Sequence, residues 1–111
     1  MSAAAASDVS EEQFLASVAE VCAVEPLVSQ IGAAILVAID LGIAHDSRTF
    51  SRIFGVAHAL VLREITELST GDGAVLKTMS RNDRTQRTEL ALTDSARQLL
   101  GRARKPTTSQ A

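Results

Sequence analysis

The chain has 111 residues, of which 46% are apolar and 22% are charged, and its net charge is −2. This length and apolar content fit one domain with a single core, and they exclude general disorder and a large multi-lobed enzyme. With three Phe and no Trp or Tyr, the sequence argues against a module that stacks bases on aromatic platforms. The lone cysteine, Cys22, excludes an internal disulfide and a cysteine-based zinc site, which fits a reducing cytoplasm.

The charges are divided unevenly along the chain. Residues 1–47 contain seven acidic residues and no Lys or Arg, whereas residues 48–111 contain all eleven basic residues and six acidic ones. The two segments therefore carry −7 and +5. Such an uneven distribution of charge indicates which partners a protein binds rather than how it folds. The charged residues either form ordinary solvated faces, or the second segment binds a polyanion.

The first part of the chain predicts two helices. Ser10 and Gln13 form the pattern of a capping box, which begins the first helix. An apolar stripe with three- and four-residue steps follows it, made of Phe14, Val18, Val21 and Cys22. Pro26 separates this helix from a second one at about residues 27–41. That helix is apolar on nearly all sides, Leu27 included, so it is predicted to lie in the core and not to cross a membrane.

Two short helices joined by a glycine turn come next. Asp46 and Ser47 give the N-cap signal of a third helix over residues 47–54, and Gly55 begins the turn to a fourth helix over residues 57–69. The buried side of the third helix is predicted to consist of Phe50, Ile53 and Phe54, and that of the fourth helix to consist of Val61, Ile65 and Leu68. This is the helix-turn-helix pattern.

A hairpin and a last helix complete the series. Residues 75–79 and 88–92 predict two strands, and the polar residues 81–87 predict the loop between them. Thr93 and Asp94 cap the last helix. A hairpin directly after two such helices is the arrangement of a winged helix-turn-helix.

The sequence therefore predicts a mainly α fold with a small β-hairpin, in which the N-terminal helix serves dimerisation. One domain is expected over residues 10–105, between loose tails at residues 1–9 and 106–111. The N-terminus has no positive residues of a signal peptide, so we expect a cytoplasmic protein.

Four short motifs follow one another along the chain, namely Phe50-x-x-Ile53-Phe54-Gly55-Val56, Arg63-Glu64-Ile65-x-x-Leu68, Asn82-Asp83-Arg84 and Leu90-x-Leu92-Thr93. In this order they resemble the MarR-type winged-helix transcription regulators. The resemblance covers about residues 30–100. It implies a dimeric regulator of transcription that binds double-stranded DNA, with the fourth helix in the major groove and the hairpin as a wing. It further implies that Arg84 enters the minor groove and that Asp83 orients it.

The face of the fourth helix opposite its core stripe carries His58, Ala59, Leu62, Arg63 and Thr66. Arg63 suits a bidentate contact with guanine or a phosphate contact, and His58 suits donation to a base or a phosphate. Ala59 and Leu62 suit contacts with thymine methyl groups. Alternatively, the polar side chains only solvate an exposed face.

Two further groups of residues are predicted to contact DNA. Arg81, Arg84 and Arg87 with Asp83 crowd the hairpin loop, which suits the minor groove or phosphates. Ser47, Arg48 and Thr49 begin the third helix, where N–H groups and hydroxyls hold phosphates, and Arg52 follows one turn later. The alternatives are a hairpin tip kept soluble by charge and ordinary capping of a helix.

The N-terminal helix carries more apolar surface than a small winged helix must bury alone. We expect a homodimer interface there, formed by Phe14, Leu15, Val18, Val21 and Cys22. Its two-fold symmetry would match a palindromic DNA site. The alternative is packing of these residues within the same subunit.

Motifs of catalysis are missing from the sequence. It contains no HExxH, CxxC, GxSxG or phosphate-binding glycine loop, so we expect no enzyme, no cofactor and no metal site. The resembled family often binds small aromatic acids, but no residues here specify such an effector. The alternative function is a winged-helix module that binds a regulatory protein through Leu60, Leu62 and the acidic N-terminus.

Overall fold

The computed structural model describes residues 10–104. Its helices and strands are α1 (Glu11–Val24), α2 (Gln30–Asp40), α3 (Ser47–Phe54), α4 (His58–Leu68), β1 (Leu76–Asn82), β2 (Arg87–Leu92) and α5 (Asp94–Arg104). The predicted mainly α fold with a β-hairpin is confirmed, and the order of elements is compatible with a winged helix. The two predicted tails, and residue 105 of the predicted domain, lie outside the described residues. Within that range no helix has the length and apolar character to cross a membrane.

Side-chain caps set the starts of α1 and α2. The capping box of α1 is confirmed, since the Ser10 hydroxyl accepts from the Gln13 N–H at 3.0 Å and the Ser10 N–H donates to Gln13 Oε1 at 3.2 Å. The predicted start of α2 is wrong by three residues. Ser29 accepts from the Gly32 N–H at 2.9 Å and caps the helix there. Leu27 therefore lies in the preceding turn, 93% exposed, instead of in the core.

The core is built around α2, which packs against α1, α4 and β2. Its side chains Ile35 and Leu36 have 1% and 0% exposure, so the prediction that this helix is central is confirmed. Helix α5 packs against α1 and β2. A stack of three rings links α1 to α3, with centroids 5.0 Å apart between Phe14 and Phe54 and 4.5 Å apart between Phe50 and Phe54.

Helix α3 presents a narrower apolar side than predicted. Phe50 and Phe54 are four residues apart and face the core together. Ile53 is 52% exposed, so its predicted burial is wrong. Ile53 lies about a quarter-turn around the helix from the direction that the two rings share, which places it outside the buried side. The helix ends at Gly55, whose φ of 67° is left-handed.

The hairpin is longer and its turn tighter than the sequence predicts. Strand β1 continues to Asn82, which pairs with Arg87 of β2, so the turn consists only of residues 83–86. The predicted loop over residues 81–87 is therefore wrong, and Arg81 and Arg87 lie in strands. Only Leu76 of β1 is buried, and a strand exposed on both faces has no alternation of apolar and polar residues to reveal it.

The segment before α3 adds a third, short piece to this sheet. The Leu90 N–H donates to the His45 carbonyl at 2.9 Å, and Asp46 forms an isolated antiparallel bridge with Glu89. These bonds place the first residues of α3 beside β2.

Candidate nucleic-acid interface

Asp46 is the N-cap of α3 and ties this helix to the hairpin. Its Oδ1 atom accepts from the Thr49 N–H at 3.1 Å, and its Oδ2 atom accepts from the Thr49 hydroxyl at 2.8 Å. The Arg87 Nε atom lies 3.6 Å from Oδ2 and forms a partly exposed ion pair. The carboxylate therefore caps the helix and also holds the base of the hairpin against it.

Ser47 lies behind this cap and has no exposed surface. Its hydroxyl accepts from the Thr88 N–H at 3.0 Å, lies 2.8 Å from His58 Nε2, and is 3.4 Å from the Gln86 carbonyl oxygen. The prediction that Ser47 contacts DNA with its hydroxyl is wrong, because three neighbours enclose that group. Its role is to join α3, α4 and the hairpin.

Arg48 extends from the start of α3 to the hairpin turn. Its Nε atom donates to the Thr85 carbonyl at 2.7 Å, and the residue is exposed. A guanidinium has five N–H donors, so the two terminal nitrogens remain available for another acceptor such as a phosphate. Arg52, one turn along α3, is also exposed.

The Asn82 side chain holds the tip of the hairpin. The Asn82 Oδ1 atom accepts from the N–H groups of Arg84 at 2.9 Å and of Thr85 at 3.1 Å, which is an Asx turn. Within residues 10–104, Asp83 and Arg84 form no ion pair, so the predicted orientation of Arg84 by Asp83 is not seen. The Arg84 side chain is exposed at the tip.

Gln86 connects the tip to β1. Its Oε1 atom accepts from Arg81 at 2.8 Å, and its Nε2 atom donates to the Asp83 carbonyl at 2.9 Å. Its φ of 63° is left-handed, which closes the turn. Sequence reasoning misses both Gln86 and Thr85, because their contributions depend on backbone carbonyls and a turn conformation that no side-chain pattern encodes.

The outer face of α4 is exposed at three of its five predicted positions, namely Ala59, Arg63 and Thr66. Leu62 is half-buried and packs against the core, so only part of it is accessible. His58 is half-buried as well and is directed to Ser47. Arg63 is therefore the long, exposed donor on this face.

His58 is held in an environment that disfavours its charged form. Burial is the largest cause and the nearby Arg48 charge the second, and together they lower the pKa of the imidazole below its usual 6.5, against an opposing effect of Asp46. A neutral imidazole at pH 7 accepts a hydrogen bond at one ring nitrogen. The ring can thus accept from the buried Ser47 hydroxyl.

The residues predicted for a dimer interface divide into two groups. Phe14, Val18 and Val21 have 8%, 4% and 1% exposure within the single chain, so their assignment to an interface is corrected to packing within the subunit. Cys22 is half-buried and contacts the same core. Leu15, at 57% exposure, is accessible to a partner. One face of α1 packs inward and the other is exposed. The apolar spacing alone does not tell which residues belong to which face.

No metal centre is found among the described residues, since no three His, Cys, Asp or Glu side chains there are grouped to hold an ion.

The chain matches no known protein family, no curated protein and no solved structure.

Proposed function

We propose that this protein is a winged helix-turn-helix transcription regulator of the MarR type that binds double-stranded DNA. The observation that carries this proposal is the hydrogen bond from Arg48 to the Thr85 carbonyl, because it joins a basic residue of α3 to the turn that bears Arg84. Arg81 is bonded within the same hairpin, and Arg87 is paired at its base. Four arginines are thus collected around one wing.

The proposed binding mode uses two grooves. Helix α4 enters the major groove, where Arg63 contacts guanine or a phosphate and Ala59 contacts a thymine methyl group. Arg84 reaches the adjacent minor groove or the backbone. Arg48 and Arg52 contact phosphates. Because one long donor on α4 reads bases, phosphate contacts supply most of the affinity and make it strongly dependent on salt.

The proposed regulator is a cytoplasmic homodimer without enzymatic activity. Helix α1 has an exposed apolar face at four-residue steps, made of Leu15, Ala19 and Ala23. Small side chains let two helices approach closely, and an isologous pair of α1 helices would match a palindromic DNA site. This face replaces the buried residues as the proposed dimerisation surface.

The proposal is tested by fluorescence anisotropy with a labelled duplex at 50 and 200 mM salt. We expect the affinity of the wild-type protein to fall about a hundredfold over this range if about four phosphates are contacted. Arg84→Ala and Arg63→Ala should each weaken binding, and Arg84→Ala should lower the salt slope by about 1. Arg97→Ala is the matched control, because Arg97 is an exposed arginine of α5 paired with Asp94.

Absence of binding at 50 mM salt, or equal losses with Arg97→Ala and Arg84→Ala, would contradict the proposal.

The alternative function is a module that binds a regulatory protein through Leu60, Leu62 and the acidic N-terminus. The packing of the two leucines does not favour it. Both side chains are only partly exposed, and Leu62 lies against the core.

A further inference from the structure

A cleft of about 480 Å³ opens on a part of the molecule that the proposed function does not use. Its walls are formed by the turn between α1 and α2, the C-terminal half of α4, residues 70–75 after α4, and helix α5. Its larger apolar lining residues are Leu27, Val28, Leu68, Val75 and Leu99. Leu68 and Leu99 are buried, Val28 and Val75 are half-buried, and Leu27 is 93% exposed. Leu27, Val28 and Val75 therefore supply most of the apolar surface that a molecule from solution can contact.

The charged groups of the cleft are mainly acidic. Glu25, Glu64 and Glu67 line it together with a single cation, Arg102. Within the described residues none of the three carboxylates forms an ion pair. Glu64 accepts a hydrogen bond from the Ser29 hydroxyl at 2.7 Å, which fixes one carboxylate at the wall. The lining therefore has an excess of two negative charges beside its apolar surface.

We propose that this cleft binds an organic cation with an apolar body, such as an arylalkyl amine. The apolar lining removes the body of such a molecule from water, and the carboxylates accept hydrogen bonds from its ammonium group. An acid of the same shape is repelled by the same carboxylates. A bare metal ion does not suit the site, because these carboxylates are not grouped as ligands among the described residues. The inference does not depend on DNA binding.

The cleft is not lined by Arg63, the residue of α4 that is proposed to contact bases. Glu64 and Glu67 belong to α4, the helix that also carries Arg63, but they line the cleft beside buried Leu68. Gly32 of α2 approaches this end of α4 closely, since a Cβ atom at Gly32 would lie 3.4 Å from Leu68. An occupant would therefore contact the firmly packed end of α4.

The experiment is an NMR titration of the full-length, 15N-labelled protein at pH 7 with three small molecules. 4-Phenylbutylamine should shift the amide signals of residues 25–29 and 64–70. 4-Phenylbutyrate, which has the same body and the opposite charge, should bind about tenfold more weakly or not at all. Methylammonium, which lacks the apolar body, should cause no saturable shifts.

Two variants test the role of the acidic side chains. Glu67→Gln should weaken the binding of 4-phenylbutylamine about two- to fivefold, the range of an exposed ion pair, because Glu67 is exposed. Glu20→Gln is the matched control, because Glu20 is exposed on α1 and lines a different depression. Equal affinity for the amine and the acid, shifts confined to other residues, or no effect of Glu67→Gln would each overturn the proposal, whatever the DNA titration shows.

Discussion

Ser47 uses one hydroxyl to connect three elements. Its oxygen accepts from the Thr88 N–H of β2 and lies 2.8 Å from His58 of α4, while its own backbone begins α3. A serine in the first turn of a helix has the same sequence pattern whether it faces solvent or a neighbouring strand. The bond between Ser47 and Thr88, which shows that Ser47 faces a strand, joins residues 41 positions apart. No local sequence pattern could therefore reveal that Ser47, predicted to bind a phosphate, is buried and links three elements.

His58 makes the stability of this junction dependent on pH. Its pKa is lowered in the folded state, so the folded protein binds the proton less tightly than the unfolded chain, whose histidine titrates near 6.5. The contribution of His58 to the free energy of unfolding is therefore fully present above about pH 6.5. It is lost as the pH falls from 6.5 toward the lower pKa of the folded state. Urea unfolding from pH 7.5 to 5 should show this loss in the wild-type protein and a smaller one in His58→Gln.

The control for this experiment is the second histidine. His45 is exposed and lies in the segment before α3. His45→Gln should keep the pH dependence of the wild-type protein. A pH dependence that is unchanged in His58→Gln would contradict the prediction.

At the scale of elements, the sequence predicts a helix well where burial of one face makes apolar residues recur at a regular spacing. The stripe of Val61, Ile65 and Leu68 predicts α4, and all three residues are buried. Strand β1 is different, because packing there buries only Leu76 and backbone pairing with β2 holds the rest. Pairing needs no particular side chains, so the outer part of the hairpin could not be recognised from apolar spacing.

The connection between α3 and α4 depends on the left-handed backbone of Gly55, with a φ of 67°. A Cβ atom there would meet no neighbour within 4 Å, so the cost of Gly55→Ala comes from the backbone alone. We expect a loss of about 1–2 kcal/mol in the free energy of unfolding, measured with urea.

Gly101→Ala is the matched substitution in an ordinary helical position. Gly101 lies inside α5, and a Cβ atom there also meets nothing within 4 Å. Alanine should stabilise this helix by about 0.5–1 kcal/mol, because glycine loses more backbone entropy on folding. Equal effects of the two substitutions would contradict the role given to the Gly55 turn.

At the scale of the whole molecule, the change from the acidic to the basic part of the sequence coincides with the start of α3. The first basic residue, Arg48, stands at the start of α3, so α1 and α2 carry no Lys or Arg. The sequence therefore predicts which elements bear the basic residues, since all of them lie from α3 onward. It does not predict which arginines reach other residues. That depends on the Arg48–Thr85 and Arg87–Asp46 contacts, which only the folded chain creates.

The last prediction concerns the exposed face of α1, which is the proposed dimerisation surface. Leu15 is 57% exposed on that face, beside the small residues Ala19 and Ala23. Leu15→Lys would bring a charge into the proposed contact between two α1 helices, where it has no partner and must lose its water. Light scattering should show a dimer for the wild-type protein and a monomer for this variant, with unchanged circular dichroism. Leu27→Lys, at a more exposed leucine outside α1, should remain dimeric, and a monomeric wild-type protein would contradict the assignment.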